Sequence, residues 1–362
     1  MFRRKTVAAA AVLTLSLIVA LLLIGGCGGD PAGDPAAGQE KVAFTDSVGR
    51  EVEVPAEITR IVPSGTMAQI VLLSLAPDKL VGLAERWSPD AAEYLDEQYY
   101  NLPVLGQFYG GKGDHNLEEI ARVDPQLIID VGEPKPSIAD DLDGISAKVD
   151  IPAVHITATL ETMGEAYRIL GELLGMEEEA AVLADYCEEV YSRTQEIAAA
   201  AGEAGAAKLL YCTGDKGLNV IPRGSFHAEI VDLVSDNVAV VEETASKGTD
   251  NAVDLEQILL WDPEMIIFGP DSIYDTVAGD TKWQELTAVK EGRYYEVPAG
   301  PYNWMGFPPS VNRYMGMVWL TKLLYPAEAA YDGYAETARY YKLFYHCELT
   351  EEQYTELVAR SF

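Results

Sequence analysis

Along residues 41–55, KVAFTDSVGREVEVP, polar and apolar residues alternate on both sides of Ser47-Val48-Gly49, which predicts a β-hairpin. Further on, the period changes. Residues 116–129 (NLEEIARVDPQLII) place apolar positions on one helical face, then Asp-Pro, then a short apolar run. Residues 254–267 (DLEQILLWDPEMII) repeat this at a constant offset of 138 without a gap. Asn116 with Glu119, and Asp254 with Gln257, have capping-box spacing. Asp-Pro predicts the stop, because a residue before proline is pushed out of the helical region. The apolar run suits a buried strand and is too short for a core helix. A helix, a sharp turn and a buried strand used twice predict two similar α/β lobes with a cleft between them.

The remaining pattern fills in these lobes. Arg60-Ile61-Val62 begins a core strand, residues 63–66 break it, and a helix runs from Met67 to Leu75. Residues 79–83 read as the next strand, 85–100 as a polar and aromatic surface crossing, 105–115 as a glycine-rich loop, and 153–156 as the last strand of the lobe. Residues 160–200 are rich in Ala, Glu and Leu, the composition of long helix, with a break at Gly175. The stretch 177–201 is long enough to join the lobes, and a helical connector limits them to a small closing motion. The second lobe starts with a strand from Lys208 (KLLYCT) and a hairpin arm at 218–221. Gly224 to His227 leads into the helix AEIVDLV, which echoes AQIVLLS at 68–74. An aromatic and proline-rich loop, 300–313, precedes a closing helix at 314–324 and a helical, tyrosine-rich tail. The fold class is therefore α/β, with two Rossmann-like lobes joined by one long α-helix. Its divisions are 41–158 for the N-terminal lobe, 159–205 for the connector, 206–345 for the C-terminal lobe and 346–362 for the tail.

The first forty residues stand apart. Arg3, Arg4 and Lys5 precede an apolar run from Val7 to Ile24, then Gly25-Gly26-Cys27. Charged start, apolar core, small residues and cysteine predict a bacterial lipoprotein signal over 1–27 with lipid attachment at Cys27. A permanent membrane helix is the alternative, since the run approaches spanning length. Residues 28–40 are rich in Gly, Pro, Ala and Asp and read as a flexible tether. The mature chain is then held on the extracytoplasmic face of the membrane, in a periplasm or at an outer surface.

Charge narrows the partners. The chain has 26 basic and 58 acidic residues, a formal charge of −32. That excludes nucleic acid, whose phosphates need a basic surface, and fits a solvated acidic coat, acid tolerance or cation attraction. Cys187, Cys212 and Cys347 lack metal-like spacing, and three cannot all pair within one chain. The chain has no Walker loop, no G-x-G-x-x-G after a strand, no H-E-x-x-H and no G-x-S-x-G, so the sequence points away from an enzyme.

In order, DSVGREVEVP, RIVPSGTMAQIVLLSLAPDKLVGL, the two LExI…DPxxII copies and SVNRYMGMVWLTKLLYP resemble one family across residues 42–325. It is the periplasmic-binding-protein family of ABC importers for ferric siderophores, haem, cobalamin and some metal ions. The resemblance implies two α/β lobes on one long helix, a monomer without a cofactor, an ABC permease with its ATPase as partners, and a metal-chelate ligand. A ferric complex is preferred over cobalamin, haem, a nickel chelate or molybdate. A ligand-sensing receptor lipoprotein and an extracytoplasmic enzyme are the readings of another class. Glu118 and Glu256 are favoured locally by the helix dipole; the resemblance implies that each also meets an arginine of the permease.

Helix starts and loops facing the cleft supply the candidate ligand residues. From the first lobe these are Ser64, Gly65, Thr66, Trp87 and Tyr109. From the second they are Arg223, His227, Tyr302, Trp304 and Arg313. Arginine suits carboxylate-like oxygens, and Tyr and Trp offer flat surface to a ring-bearing chelate, with core packing as the alternative. Arg313 has the further alternative of bracing the closing helix. His227, where a glycine-rich turn enters a helix, is the candidate metal ligand, against a simple hydrogen-bonded histidine. His115 and His155 are weaker candidates. Only four histidines occur in the chain, which argues against a bare zinc site.

Overall fold

The alternating segment folds as expected: β1 (Lys41–Thr45) pairs antiparallel with β2 (Glu51–Pro55). A computed structural model describes residues 40–108, 116–202, 205–245 and 251–362 of the chain. The leader with Cys27, most of the tether, Tyr109 and His115 lie outside the described residues, and Glu40–Phe362 forms one compact unit.

The first lobe is built on β3 (Ile61–Pro63), followed by α1 (Thr66–Leu75) and the short α2 (Glu97–Tyr100). The first repeat copy gives α3 (Leu117–Val123) and β4 (Leu127–Gly132). Then come α4 (Ile138–Val149) and β5 (Ala153–Thr157). The strand order is β3-β4-β5, all parallel. Every residue of β4 is buried, as a parallel strand covered on both faces requires. The strand expected at 79–83 does not form. Pro77–Lys79 makes a tight 3-10 turn, and Leu80 and Leu83 contribute only isolated bridges, to Ile61 and Val104. The chain crosses here instead of joining the sheet: Val81 donates to the Ile61 carbonyl, then Leu83 to that of Pro103.

The connector divides at Gly175 (φ 63°), the left-handed cap of α5 (Met163–Leu174). The next helix, α6 (Glu177–Gly202), has 26 residues and spans about 39 Å. The second lobe follows with β6 (Lys208–Thr213), β7 (Asn219–Val220), α7 (Glu229–Val234) and β8 (Asp236–Asn237). The second repeat copy gives α8 (Leu255–Trp261) and β9 (Met265–Phe268). After α9 (Tyr274–Val277), α10 (Thr287–Lys290) and β10 (Tyr294–Glu296), the strand order is β10-β9-β6-β7. β8 also pairs with β6, and only β7 runs antiparallel.

The two copies share their caps in detail. Asn116 accepts from the Glu119 amide, and Asp254 from the Gln257 amide. Only this half of the capping box forms in the first copy, because the Glu119 side chain turns to Arg122. The Asp-Pro stop is not the extended residue expected. Asp124 (φ 46°) and Asp262 (φ 45°) both enter the left-handed region, and their amides donate to Ile120 and Ile258. A left-handed cap also escapes the clash with proline, and aspartate tolerates it better than most residues.

The chain ends in α11 (Arg313–Leu324), α12 (Gly333–Phe344) and α13 (Glu351–Leu357). α12 ties the parts together. Tyr340 packs on Tyr186 of α6, Phe344 on Tyr167 of α5, and Tyr341 on Tyr94 of the first lobe. Arg193–Glu336 and Arg339–Glu189 bridge it to α6. One core cluster therefore runs from α1 through α5 and α6 to α11 and α12, with a smaller separate core in each lobe.

Candidate functional site

Ligands of open parallel sheets bind outside the carboxyl ends of the strands. In the first lobe, β3 ends at Pro63 and the chain turns through Ser64 and Gly65 into α1. Gly65 offers no side-chain cap, and the first turn of α1 carries no acid. Its leading amides are thus left for a ligand or solvent. They open on a pocket of about 180 Å3 lined by Ser64, Gly65, Thr66, Asp130, Glu133 and Lys135, among others. Behind it, Ser64, 1% exposed, donates its hydroxyl to Asp130. Fully buried His155 reaches the other Asp130 oxygen through Nδ1 at 2.7 Å. The His155 amide donates to Asp46 at 3.2 Å, and Asp46 pairs with Arg50. This is no hydrolytic triad, because histidine reaches the carboxylate and not the serine oxygen.

The second lobe answers with a pocket of about 300 Å3 at the ends of β6 and β9, lined by Thr213, Asn219, Pro270, Asp271, Asn303 and Phe307. His227 stacks on Phe307 (centroids 5.2 Å, planes 24° apart). Burial lowers its pKa below the ordinary 6.5, opposed by a backbone hydrogen bond at Gly306, with the Arg313 charge lowering it further. Its Nδ1 has no hydrogen-bond partner among the described residues. Arg313, 1% exposed, pairs with Glu229 and lies over the Phe226 ring at 4.6 Å. Its Nε and Nη2 find no partner among the described residues. Burial pushes Glu229 up and Arg313 down, and their mutual contact opposes both. The charge of Glu133, which lines the first pocket, raises both slightly.

The structure distributes the sequence candidates unevenly. Ser64, Gly65 and Thr66 line the first pocket, and His227 and Arg313 adjoin the second. Trp87 and Trp304 are each 3% exposed. Trp87 donates to the Tyr99 carbonyl and packs on Tyr302, whose hydroxyl meets Gln69. These rings pack the base of loop 300–313 instead of presenting a flat face. Arg223 is exposed and held by Asp236 and the Asn237 carbonyl. Glu118 and Glu256 are both exposed and form no ion pair among the described residues. Sequence reasoning missed Asp130, Glu133, Glu229, Asp271 and Phe307. Asp130 had a signal: it continues the buried strand Leu127-Ile128-Ile129, where the second copy has Phe268. An acid inside a buried strand needs a partner and a reason. Among the described residues, no cluster of three His, Cys, Asp or Glu side chains could hold a metal ion, and no helix is long and apolar enough to cross a membrane.

Comparison with known proteins gives the same architecture. The chain is similar to an ABC transporter solute binding protein of Sulfurospirillum deleyianum, at 29% identity over 88% of this chain and 99% of that one, with a TM-score of 0.79. It is similar in fold to a molybdate periplasmic binding protein of Haemophilus influenzae (18% identity, 85% and 99% covered, TM-score 0.67). The same holds for a catecholate-siderophore binding protein of Vibrio cholerae (16%, 81% and 100%, TM-score 0.57). A comparison with curated proteins gives no significant match. The family model described as periplasmic binding protein matches residues 65–301, which include most of the lining of both pockets and the long helix between the lobes, and the chain belongs to that family.

Proposed function

We propose that this chain is the lipid-anchored substrate-binding component of an ABC importer, held outside the cytoplasmic membrane. It captures a small anionic metal complex and delivers it to a permease and ATPase. The observation that carries the ligand class is the uncapped start of α1, opening on a pocket with Ser64, Thr66 and Lys135, with His227 and Arg313 beside the second-lobe pocket. Free amides at a helix start favour anionic oxygen. A histidine kept neutral by burial is the form that ligates metal, so His227 fills a vacancy on the incoming complex.

Size and surface choose within that class. The two pockets lie at or below the lower end of the roughly 300–1,000 Å3 typical of drug-sized sites, and Trp87 and Trp304 are packed away. Both favour a compact ferric chelate over haem, cobalamin or a large catecholate. Pocket size also supports a second reading, a bare oxyanion, which is what the H. influenzae neighbour binds.

Docking follows from the repeat. Glu118 and Glu256 occupy equivalent exposed positions on α3 and α8, one per lobe, and each is open to a cationic partner on the permease. The experiment that tests the function is a tryptophan-fluorescence titration of the protein from residue 28 onward. The panel is ferric citrate, ferric hydroxamate and catecholate chelates, haem, cobalamin, nickel-histidine and molybdate. Saturable one-to-one binding of a compact anionic metal species is expected. Tight binding of haem or cobalamin instead would refute the ligand class.

A further inference from the structure

The anion-binding reading leaves two pocket carboxylates unused, the exposed Glu133 and the buried Asp130. Asp130 lines the first pocket yet is only 7% exposed. We propose that Asp130 is a specificity-determining residue, making the Ser64 corner of the pocket a hydrogen-bond acceptor. The bound species then presents a donor there, a hydroxyl or a metal-bound water, and not bare anionic oxygen. This rests on the proposed function and narrows its substrate class.

The argument is a count of protons. A serine hydroxyl has one proton to give. Ser64 gives it to Asp130 Oδ1, so towards the pocket Ser64 shows only lone pairs. The other oxygen, Oδ2, receives His155 Nδ1 at 2.7 Å, the length of a charge-assisted bond. A carboxylate accepts, so both partners are donors; among the described residues they are its only side-chain donors, which leaves lone pairs for the pocket side. The arrangement is held from behind. His155 is fully buried, its amide is bound by Asp46, and Arg50 ties Asp46 to Asp143 and to the Ala153 carbonyl. Asp130 therefore cannot swing aside to welcome an anion.

The pocket is thus two-sided. One wall is the start of α1, which donates; the floor is Ser64 with Asp130, which accepts. A ligand with anionic oxygen at one end and a hydroxyl or bound water at the other satisfies both. A fully deprotonated tetrahedral oxyanion satisfies only the wall and sets its remaining oxygens against lone pairs and a negative charge. Sites built around a hydrogen bond reject ligands that cannot make it far more strongly than sites that differ by a methylene.

Isothermal titration of the full chain with ferric citrate and with sodium molybdate, both at pH 7.5, tests this. The wild type should prefer ferric citrate by about 100-fold or more. Asp130→Asn keeps the shape and adds a donor, and should narrow that preference at least about tenfold, mainly by tightening molybdate. A purely structural Asp130 would lower the melting temperature and leave the ratio untouched, which would overturn the inference. So would a wild type that prefers molybdate. If the asparagine variant does not fold, Ser64→Ala serves: it removes the hydroxyl but keeps the carboxylate. Its preference should equal or exceed the wild-type ratio, and collapse of that ratio would refute the role of Asp130. Absence of heat with either compound on the wild type would overturn the anionic-complex reading and this inference with it. Binding with an unchanged ratio would remove only the inference.

Discussion

Ser310 donates its hydroxyl to the Met67 carbonyl at 3.0 Å, which fastens the loop before α11 to the first turn of α1. These residues are 243 positions apart, and the bond joins a second-lobe element to the helix whose start forms the first pocket. Ser310 is 2% exposed. Ser310→Ala removes this donor from a partly buried carbonyl and should lower the unfolding free energy by about 1 kcal/mol. Urea denaturation followed by fluorescence would read it; no change would mean that another donor takes over.

Arg313 and Glu229 form a largely buried ion pair, with side chains 1% and 28% exposed. Removing one partner strands the other. Arg313→Met should cost about 3 kcal/mol, and the double variant with Glu229→Gln clearly less than the sum of the single changes. Guanidinium denaturation of the four proteins closes the cycle, and simple additivity would show that the pair is not coupled.

Acid should weaken the fold through His227. Its folded pKa is depressed below 6.5 by burial. As pH falls below about 6.5 the unfolded chain takes up a proton that the folded chain resists, so this contribution is present above 6.5 and fades below it. Glu229 acts in the opposite sense nearer 4.5, because its folded pKa is raised. The melting temperature of His227→Gln should therefore fall less than that of the wild type between pH 7 and the depressed His227 pKa. Parallel curves would rule this contribution out.

Transport and binding should separate at Glu118 and Glu256. Exposed and without salt-bridge partners among the described residues, they add little to stability. The double alanine variant should keep wild-type affinity yet lose most uptake in cells carrying the importer. Uptake at the wild-type rate would contradict the docking role.

The left-handed caps offer a test of the repeat itself. At φ 46° and 45°, Asp124 and Asp262 sit where glycine is at ease and branched residues are strained. Valine at either site should cost about 1–2 kcal/mol, and glycine close to nothing.

The repeated helix, stop and strand were legible because each rests on local rules: a cap, a face and a proline. The long connector was legible for the same reason, since its composition favours helix wherever it lies. The stop illustrates the limit of such rules. Proline only forbids Asp124 the right-handed helical region, and the bond from its amide to Ile120 selected the left-handed alternative over the extended one. Residues 79–83 fail similarly: they have a strand's composition, but pairing needs a neighbour, and the chain offers only a single bond to Ile61 before turning away.

The site divides along the same line. Ser64, Gly65 and Thr66 could be picked from the chain because a strand-to-helix turn is local and its free amides come with it. Periodicity and punctuation are carried by neighbours in the chain, so they set the two lobes, the helix between them and the start of α1. Whether Trp304 lines the cleft or fills the core, whether Arg313 faces a ligand or Glu229, and whether Asp130 meets Ser64 and His155 depend on distant residues. Burial and charge pairing are properties of neighbours in space. They arose only when segments 25 to more than 200 residues apart came together around the two pockets.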